Sequence, residues 1–310
     1  MPRLGDIQIR DPFVLRENGY TYLLGSTDPD IWRAPGVGFD IYRSNGSLTD
    51  WEGPFPAFRP GSGFWSHKNF WAPELYRFQG AYYMFATFQP DEGRRGTAVL
   101  RGDTPLGPFT PWSDGPVTPR EWESLDGTLF VDEAGAPWMV FCHEWQQVGD
   151  GEICAMPLTT DLRAAVGEPS LLFHASDAAW AKPLRGRPPG SYVTDGPFLY
   201  RMTTGTLLLL WSSFGETGNY CIGTAVSESG TLGGPWRQSD EPVYAADGGH
   251  GMVFTAADGK IYLSIHTPNR TPDERAIFVE LREGDRSLTP TGQTIHDYHA
   301  RSVSVQEEPL

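Results

Sequence analysis

Three aspartates stand at matched places in the sequence, each opening a short apolar run. They are Asp11 in Asp11-Pro12-Phe13-Val14-Leu15, Asp126 in Asp126-Gly127-Thr128-Leu129-Phe130-Val131, and Asp195 in Asp195-Gly196-Pro197-Phe198-Leu199-Tyr200. A lone Asp-Pro or Asp-Gly is ordinarily a turn or capping residue. Recurrence at corresponding points of a repeat is different, because crowded carboxylates cost free energy unless something uses them. The chain carries no Cys/His metal-ligand spacing, phosphate-binding loop or nucleophile elbow. Converging acids without those features suit cleavage of a glycosidic bond. One carboxyl stays protonated to assist the leaving oxygen, and another stays ionised to activate water or to attack. Like charges at close range drive the two pKa values apart.

The elements that must bring these acids together form a five-fold repeat. Openings fall at residues 11, 74, 126, 195 and 250, each followed by an apolar strand, a tight turn and an aromatic-rich return strand. The turns are Asn18-Gly19, Gln79-Gly80, Ala134-Gly135, Thr204-Gly205 and Asp258-Gly259. Asn18-Gly19 and Asp258-Gly259 are the dipeptides that type I′ hairpins demand. A third strand follows each hairpin, over 39–43, 97–101, 152–157, 222–227 and 276–281. Pro-, Gly- and Trp-containing ends such as Trp51-Glu52-Gly53-Pro54 and Gly234-Pro235-Trp236 suggest a fourth, outer strand. The expected fold is therefore all-β: one five-bladed β-propeller over 1–310, with four-stranded antiparallel blades around a central channel. With 11 Trp, 12 Tyr and 17 Phe, the chain has the rings for packed sheets and for a surface that stacks sugars.

If the openings lie at one face of the disc, the hairpin turns lie at the other and the returns come back to the first. Openings and returns then ring one mouth. Near it the sequence places Trp71, Glu74, Phe88, His143, Glu144, Trp145, Phe214, His250 and His266. Trp71, Phe88, Trp145 and Phe214 are candidates to stack on sugar faces, with core packing as the other use of each ring. Glu74 either enters the pit or pairs with an Arg. His143 and His266 are polar rim residues able to bond a sugar hydroxyl.

A formal charge of −15 argues against nucleic acid and anionic membrane as partners. No apolar stretch approaches the ~20 residues of a membrane span. The start, Met1-Pro2-Arg3-Leu4-Gly5-Asp6, has no apolar signal-peptide core, so the chain as written is expected to be cytoplasmic; a longer exported parent would be secreted or periplasmic. Cys142, Cys154 and Cys221 are expected to be buried thiols, with a Cys142–Cys154 bridge across neighbouring strands as the alternative.

The motifs together resemble glycoside hydrolase family 43. Ile9-Arg10-Asp11-Pro12-Phe13 is similar to its first-blade motif, Phe70-Trp71-Ala72-Pro73-Glu74 to its second-blade Trp-Ala-Pro-acid segment, and Leu125-Asp126-Gly127 to its third-blade position. Asp195-Gly196-Pro197 resembles the Glu-Gly-Pro segment, and Gly249-His250-Gly251 the fifth-blade histidine. The resemblance implies an inverting hydrolase of arabinofuranosyl-, xylosyl- or galactosyl-type oligosaccharides or polysaccharide side chains. It implies Asp11 as general base, Asp126 as the residue that orients and tunes the acid, and Asp195 as general acid. No cofactor is required by this chemistry; the resemblance puts His250 beside a central Ca2+ or Na+ or a water cluster.

The family's acid is usually Glu, so Asp195 is one methylene short, and Glu144 is the alternative donor. Insertions at 59–70 and 174–193 look able to close the pit, which implies exo cleavage. Two competing readings use the same residues: a sugar-binding propeller without catalysis, marked by Asp at 195, and a glycoside phosphorylase holding phosphate with Arg10, Lys68, Arg94 or Arg95. A propeller that only docks protein partners is a further alternative.

Overall fold

The computed structural model describes residues 1–296. The single domain expected over 1–310 runs into residues 297–310, which lie outside the described residues. Among the described residues, twenty strands form five four-stranded antiparallel sheets, each built from consecutive segments. Blade 1 holds β1 (Arg10–Glu17), β2 (Tyr20–Ser26), β3 (Phe39–Ser44) and β4 (Glu52–Phe58). Blade 2 holds β5 (Lys68–Phe78), β6 (Ala81–Gln89), β7 (Gly96–Gly102) and the two-residue β8 (Thr110–Pro111). Blade 3 holds β9 (Ser124–Val131), β10 (Pro137–His143), β11 (Glu152–Pro157) and β12 (Ser170–His174). Blade 4 holds β13 (Asp195–Arg201), β14 (Leu207–Phe214), β15 (Tyr220–Ser227) and β16 (Trp236–Gln238). Blade 5 holds β17 (Gly249–Thr255), β18 (Ile261–Thr267), β19 (Arg275–Glu283) and β20 (Leu288–Ile295).

The inner hairpins close in two ways. Asn18 and Gly19 (φ 51° and 82°) and Gln79 and Gly80 (46° and 85°) are left-handed pairs, as type I′ turns require. Asp258 is not left-handed; only Gly259 is, at φ 84°, and its N–H reaches the Ala256 carbonyl at 3.1 Å. The sequence expectation of a type I′ turn there is thus replaced by a three-residue turn ending in a left-handed glycine. The same turn recurs at Gly135 and Gly205.

Apolar clusters fill the spaces between blades. Phe39, Phe58, Phe70 and Phe88 pack from blades 1 and 2, with Phe278 of blade 5 in the same cluster. Trp211, Phe173 and Trp180 fill the blade 3–4 gap. Cys142 and Cys154 belong to clusters on opposite sides of blade 3, and all three cysteines are free and buried. The ring closes through the N-terminal segment: Leu4 N–H reaches the Thr49 carbonyl (2.8 Å), while the Gly5 carbonyl accepts from Arg275 Nε (3.0 Å).

The feature that positions the site is a slip in the β-ladder at the opening of every inner strand. Between the pairs Arg10↔Ser26 and Phe13↔Leu24 two residues face one, and the same slip recurs in the other four blades. The first residue of each bulge is left-handed: Asp11 (φ 53°), Ala72 (45°), Asp126 (57°), Gly196 (53°) and His250 (46°). Each bulge N–H is accepted by a side chain of the preceding blade: Asp11 by His266 Nδ1, Ala72 by Ser26, Asp126 by Thr87, Gly196 by Asp126 Oδ2 and His250 by Ser212. Four of these acceptors close the return strands at one register position. In blade 3 that position holds Cys142, and Asp126 itself serves instead.

Candidate active site

The kinks turn two acids inward. Asp11 and Asp126 are themselves bulge residues, whereas Asp195 lies one residue earlier, paired with Ser212, and Gly196 occupies the bulge. Matched placement of all three, as read from the sequence, therefore holds for two; the third reaches the same cavity from the neighbouring position. That cavity, about 350 Å³, is lined by Asp11, Asp126 and Asp195 together with Glu144, His250, Trp71, Trp145 and Phe214.

Three other expected contacts lie elsewhere. Phe88 is fully buried in the blade 1–2 cluster, because Thr87 before it faces the channel and strand side chains alternate. Its expected sugar contact is ruled out by that parity. His143 is also turned away: it bonds Glu152 Oε2 (2.8 Å) and Gln147 (3.2 Å) and stacks on Trp122 at 4.0 Å, outside the cavity lining. Glu74 lies off the lining, neither in the pit nor paired with an Arg; it accepts from the Tyr76 hydroxyl at 2.5 Å. Burial pushes Glu74 up to about 7 against the hydrogen bonds from Thr128 and Tyr76.

The three aspartates are electrostatically unlike. Burial works to raise Asp11, yet His250, Arg10 and His266, with the Ser26 hydroxyl at 2.7 Å, hold it below the ordinary carboxylate range. Asp126 and Asp195 are driven upward, first by burial. For Asp126 the neighbouring Asp195 and Asp11 add to the rise, while His250 and the Gly196 N–H oppose it. For Asp195, His250 and the Tyr220 hydroxyl (2.9 Å) only partly offset burial. The site therefore pushes Asp11 in one direction and Asp126 and Asp195 in the other. Glu144, paired with Arg95, is raised to about 7 by burial, the Arg95 charge opposing.

His250 Nδ1 lies 3.2 Å from Asp11 Oδ1 and 3.6 Å from Asp126 Oδ2, between the two carboxyls. Those carboxylates raise its pKa although burial alone would lower it. Hard cations such as Ca2+ take several oxygen ligands. Among the described residues no three His, Cys, Asp or Glu side chains are grouped as metal ligands. The residues around His250 therefore do not make a protein-built cation cage. His266, expected at the rim, is fully buried and lowered to about 3, chiefly by burial and the Arg10 charge.

Trp32, Arg10, Arg95 and Tyr220 also line the cavity, and none of them was read from the sequence as part of a hydrolase site. Trp32, from the β2–β3 loop, is 52% exposed yet fixed: its Nε1 reaches Thr271 (3.1 Å), its ring meets Trp71 edge-on at 5.1 Å, and Arg10 lies 5.3 Å over it. Arg10, bonded to Asn269, and Arg95, 5.1 Å over Trp71, carry positive charge to the wall. Tyr220 opens β15 and holds Asp195. Arg10 and Arg95 were visible as phosphate-holding candidates only; Trp32 and Tyr220 gave no signal beyond aromatic type.

The chain is similar to known proteins along most of its length. The profile of Glycosyl hydrolases family 43 matches residues 5–286. The endo-arabinase of Bacteroides thetaiotaomicron VPI-5482 superposes with a TM-score of 0.85 at 39% identity, over 92% of this chain and 98% of that one. A thermostable family-43 glycoside hydrolase gives 0.76 at 25% identity, over 94% and 95%. Among curated proteins, xylosidase/arabinosidase 43A of Humicola insolens is 35% identical over 26% of this chain and 24% of its own length. The alpha-L-arabinofuranosidase 43 of the same organism is 24% identical over 66% and 42%. The chain thus spans less than half the length of either curated relative.

Proposed function

Because the chain belongs to Glycosyl hydrolases family 43, we propose that it hydrolyses O-glycosidic bonds of arabinose- or xylose-containing glycans by single displacement with inversion. The observation that carries this reading is one cavity holding three carboxyls from three blades, with surroundings that push Asp11 down and Asp126 and Asp195 up. Asp11, kept ionised, takes a proton from water as that water attacks the anomeric carbon. Asp195, pushed upward by burial, gives its proton to the departing oxygen. Asp126 accepts the Gly196 N–H at 3.0 Å, so it fixes the backbone beside Asp195. Two names support the sugar class: the endo-arabinase that is 39% identical, and the alpha-L-arabinofuranosidase among the partial matches.

Glu144 is the second donor candidate, favoured by its place in the lining and its pKa of about 7. Substrates with dinitrophenol as leaving group need little proton donation. Loss of the true donor therefore spares them while abolishing turnover of natural linkages. Asp195→Asn is expected to show that split and Glu144→Gln a uniform, smaller loss; the reverse pattern would transfer the role. Hydrolysis of aryl arabinofuranoside, xyloside and galactofuranoside, with the first-formed anomer followed by NMR, tests the activity itself. A wild-type protein inert on the whole panel, or one releasing the retained anomer, overturns this reading.

A further inference from the structure

Glu144, Trp145 and Gln146 reach the cavity from a short turn that follows β10. Its helix, Trp145–Val148, has only four residues, too few to hold its own position. The hold comes from Gln147. Its Oε1 accepts the Glu123 N–H (2.6 Å) and its Nε2 donates to the Glu121 carbonyl (3.1 Å), tying the turn to the loop before β9. These two bonds fix which way round the amide sits, because the reversed amide would set donor against donor and acceptor against acceptor. Behind Gln147 stands His143, the last residue of β10 and a buried one.

The amide's orientation decides what His143 must be. Its Nε2 faces Gln147 Oε1 at 3.2 Å, and its Nδ1 faces Glu152 Oε2, on β11, at 2.8 Å. Both partners are acceptors, so a neutral imidazole with one N–H satisfies one of them and an imidazolium satisfies both. The Trp122 ring, stacked 4.0 Å away at 11°, offers a face that favours the cation. The other ionisable groups nearby point elsewhere or act through Glu152. The Glu123 carboxylate is turned to Arg94 and Arg95 (3.4 and 3.3 Å), and Glu144 is paired with Arg95. His174 Nδ1, on β12, lies 3.9 Å from Glu152 Oε1, and the Cys154 thiol lies 4.0 Å from Oε2. We propose that His143 is a positioning residue that works as an imidazolium, locking the turn that bears Glu144 and Trp145, and that loss of its proton frees the turn and weakens substrate binding. The remaining N–H stays with the charged acceptor, Glu152, so the bond that breaks is the one to Gln147. The effect falls on KM, because Asp11, Asp126 and Asp195 stand on other strands. The inference rests on the reading of the cavity as the substrate site.

The test reads the turn apart from turnover. Amide hydrogen exchange across 145–149 and KM for an aryl glycoside are measured at about pH 5.5 and about pH 8.5, on either side of the ordinary imidazole value of about 6.5. Exchange, corrected for the intrinsic effect of pH, and KM are each expected to rise about fivefold at the higher pH, the factor carried by one hydrogen bond. Glu152→Gln is the discriminating variant. Its amide N–H can donate to Nδ1, so a neutral ring keeps both bonds, and both readouts are expected to hold their low-pH values throughout. Gln147→Met removes the acceptor and is expected to give the raised values at both pH values. Wild-type readouts that do not move with pH, or a rise that Glu152→Gln leaves intact, overturn the inference. A protein that hydrolyses no glycoside yet shows the exchange pattern would instead overturn the hydrolase reading and leave the lock standing.

Discussion

Asp11 and Asp126 occupy left-handed backbone at φ 53° and 57°, a region that asparagine tolerates and alanine resists. Asp11→Asn and Asp126→Asn are therefore expected to melt within a degree or two of wild type while kcat falls roughly 10³-fold. Asp11→Ala adds a stability loss of about 1 kcal/mol on top of the same catalytic defect. The pH dependence of kcat/KM follows from the protonation states. Activity falls on the acid side as Asp11, held low, takes up its proton, and on the alkaline side as the raised donor loses its own. A rate that climbs steadily through the alkaline range contradicts the assignment. Glu74 offers a stability test. Its folded pKa, about 7, exceeds the ordinary 4.5, so the folded state holds a proton that the unfolded chain has released. Stability is accordingly lost as pH rises from about 4.5 through 7. Glu74→Gln is expected to remove that slope, a gain on the order of 2 kcal/mol at pH 8 and little at pH 4, read as melting temperature against pH. At this scale the sequence identified acids better than neighbours. The carboxylates were legible because each opens a repeat. Phe88 and His143 were misplaced because side-chain parity depends on where the ladder slips, and a slip is a property of two strands.

The blades themselves were legible almost strand by strand, since turn glycines and apolar runs are local signals. The bulges were not. They are written as Asp11-Pro12, Ala72-Pro73, Asp126-Gly127, Gly196-Pro197 and His250-Gly251, pairs that also serve ordinary turns. What makes them kinks is the ladder. A Cβ at Gly251 would lie 1.9 Å from the Ser264 carbonyl oxygen, so the residue after His250 has to be glycine for blade 5 to keep its register. Gly251→Ala is expected to lower stability by at least about 2 kcal/mol and to displace His250 from Asp11, seen as lost activity together with a lower denaturation midpoint. The opposite change is available at the exposed turn of blade 2. Gln79 is left-handed at φ 46°, and Gln79→Asn is expected to raise stability by roughly 0.5 kcal/mol with catalysis unaltered.

At the scale of the whole molecule, closure rests on the first nine residues. Leu4, Ile7 and Ile9 are buried to 2% exposure or less, and hydrogen bonds join this segment to Thr49 and Trp51 of the blade 1 side and to Glu274 and Arg275 of blade 5. Removing residues 1–8 is expected to cost on the order of 5 kcal/mol, the burial of such side chains, and to lower the melting temperature by several degrees at least. Its hold on blade 5 was illegible beforehand because those partners lie more than 250 residues away along the chain. The interblade hydrogen bonds at the channel have a wider consequence. Each kink leans on a group supplied by the blade before it, and the last of them returns to Asp11. The five therefore make a circuit with no free end, and its circumference sets how far apart the acids stand. A propeller with a sixth copy of the repeat would break that circuit and widen the bore. The count of blades is in this sense part of the reaction's specification, as much as the carboxyl groups are.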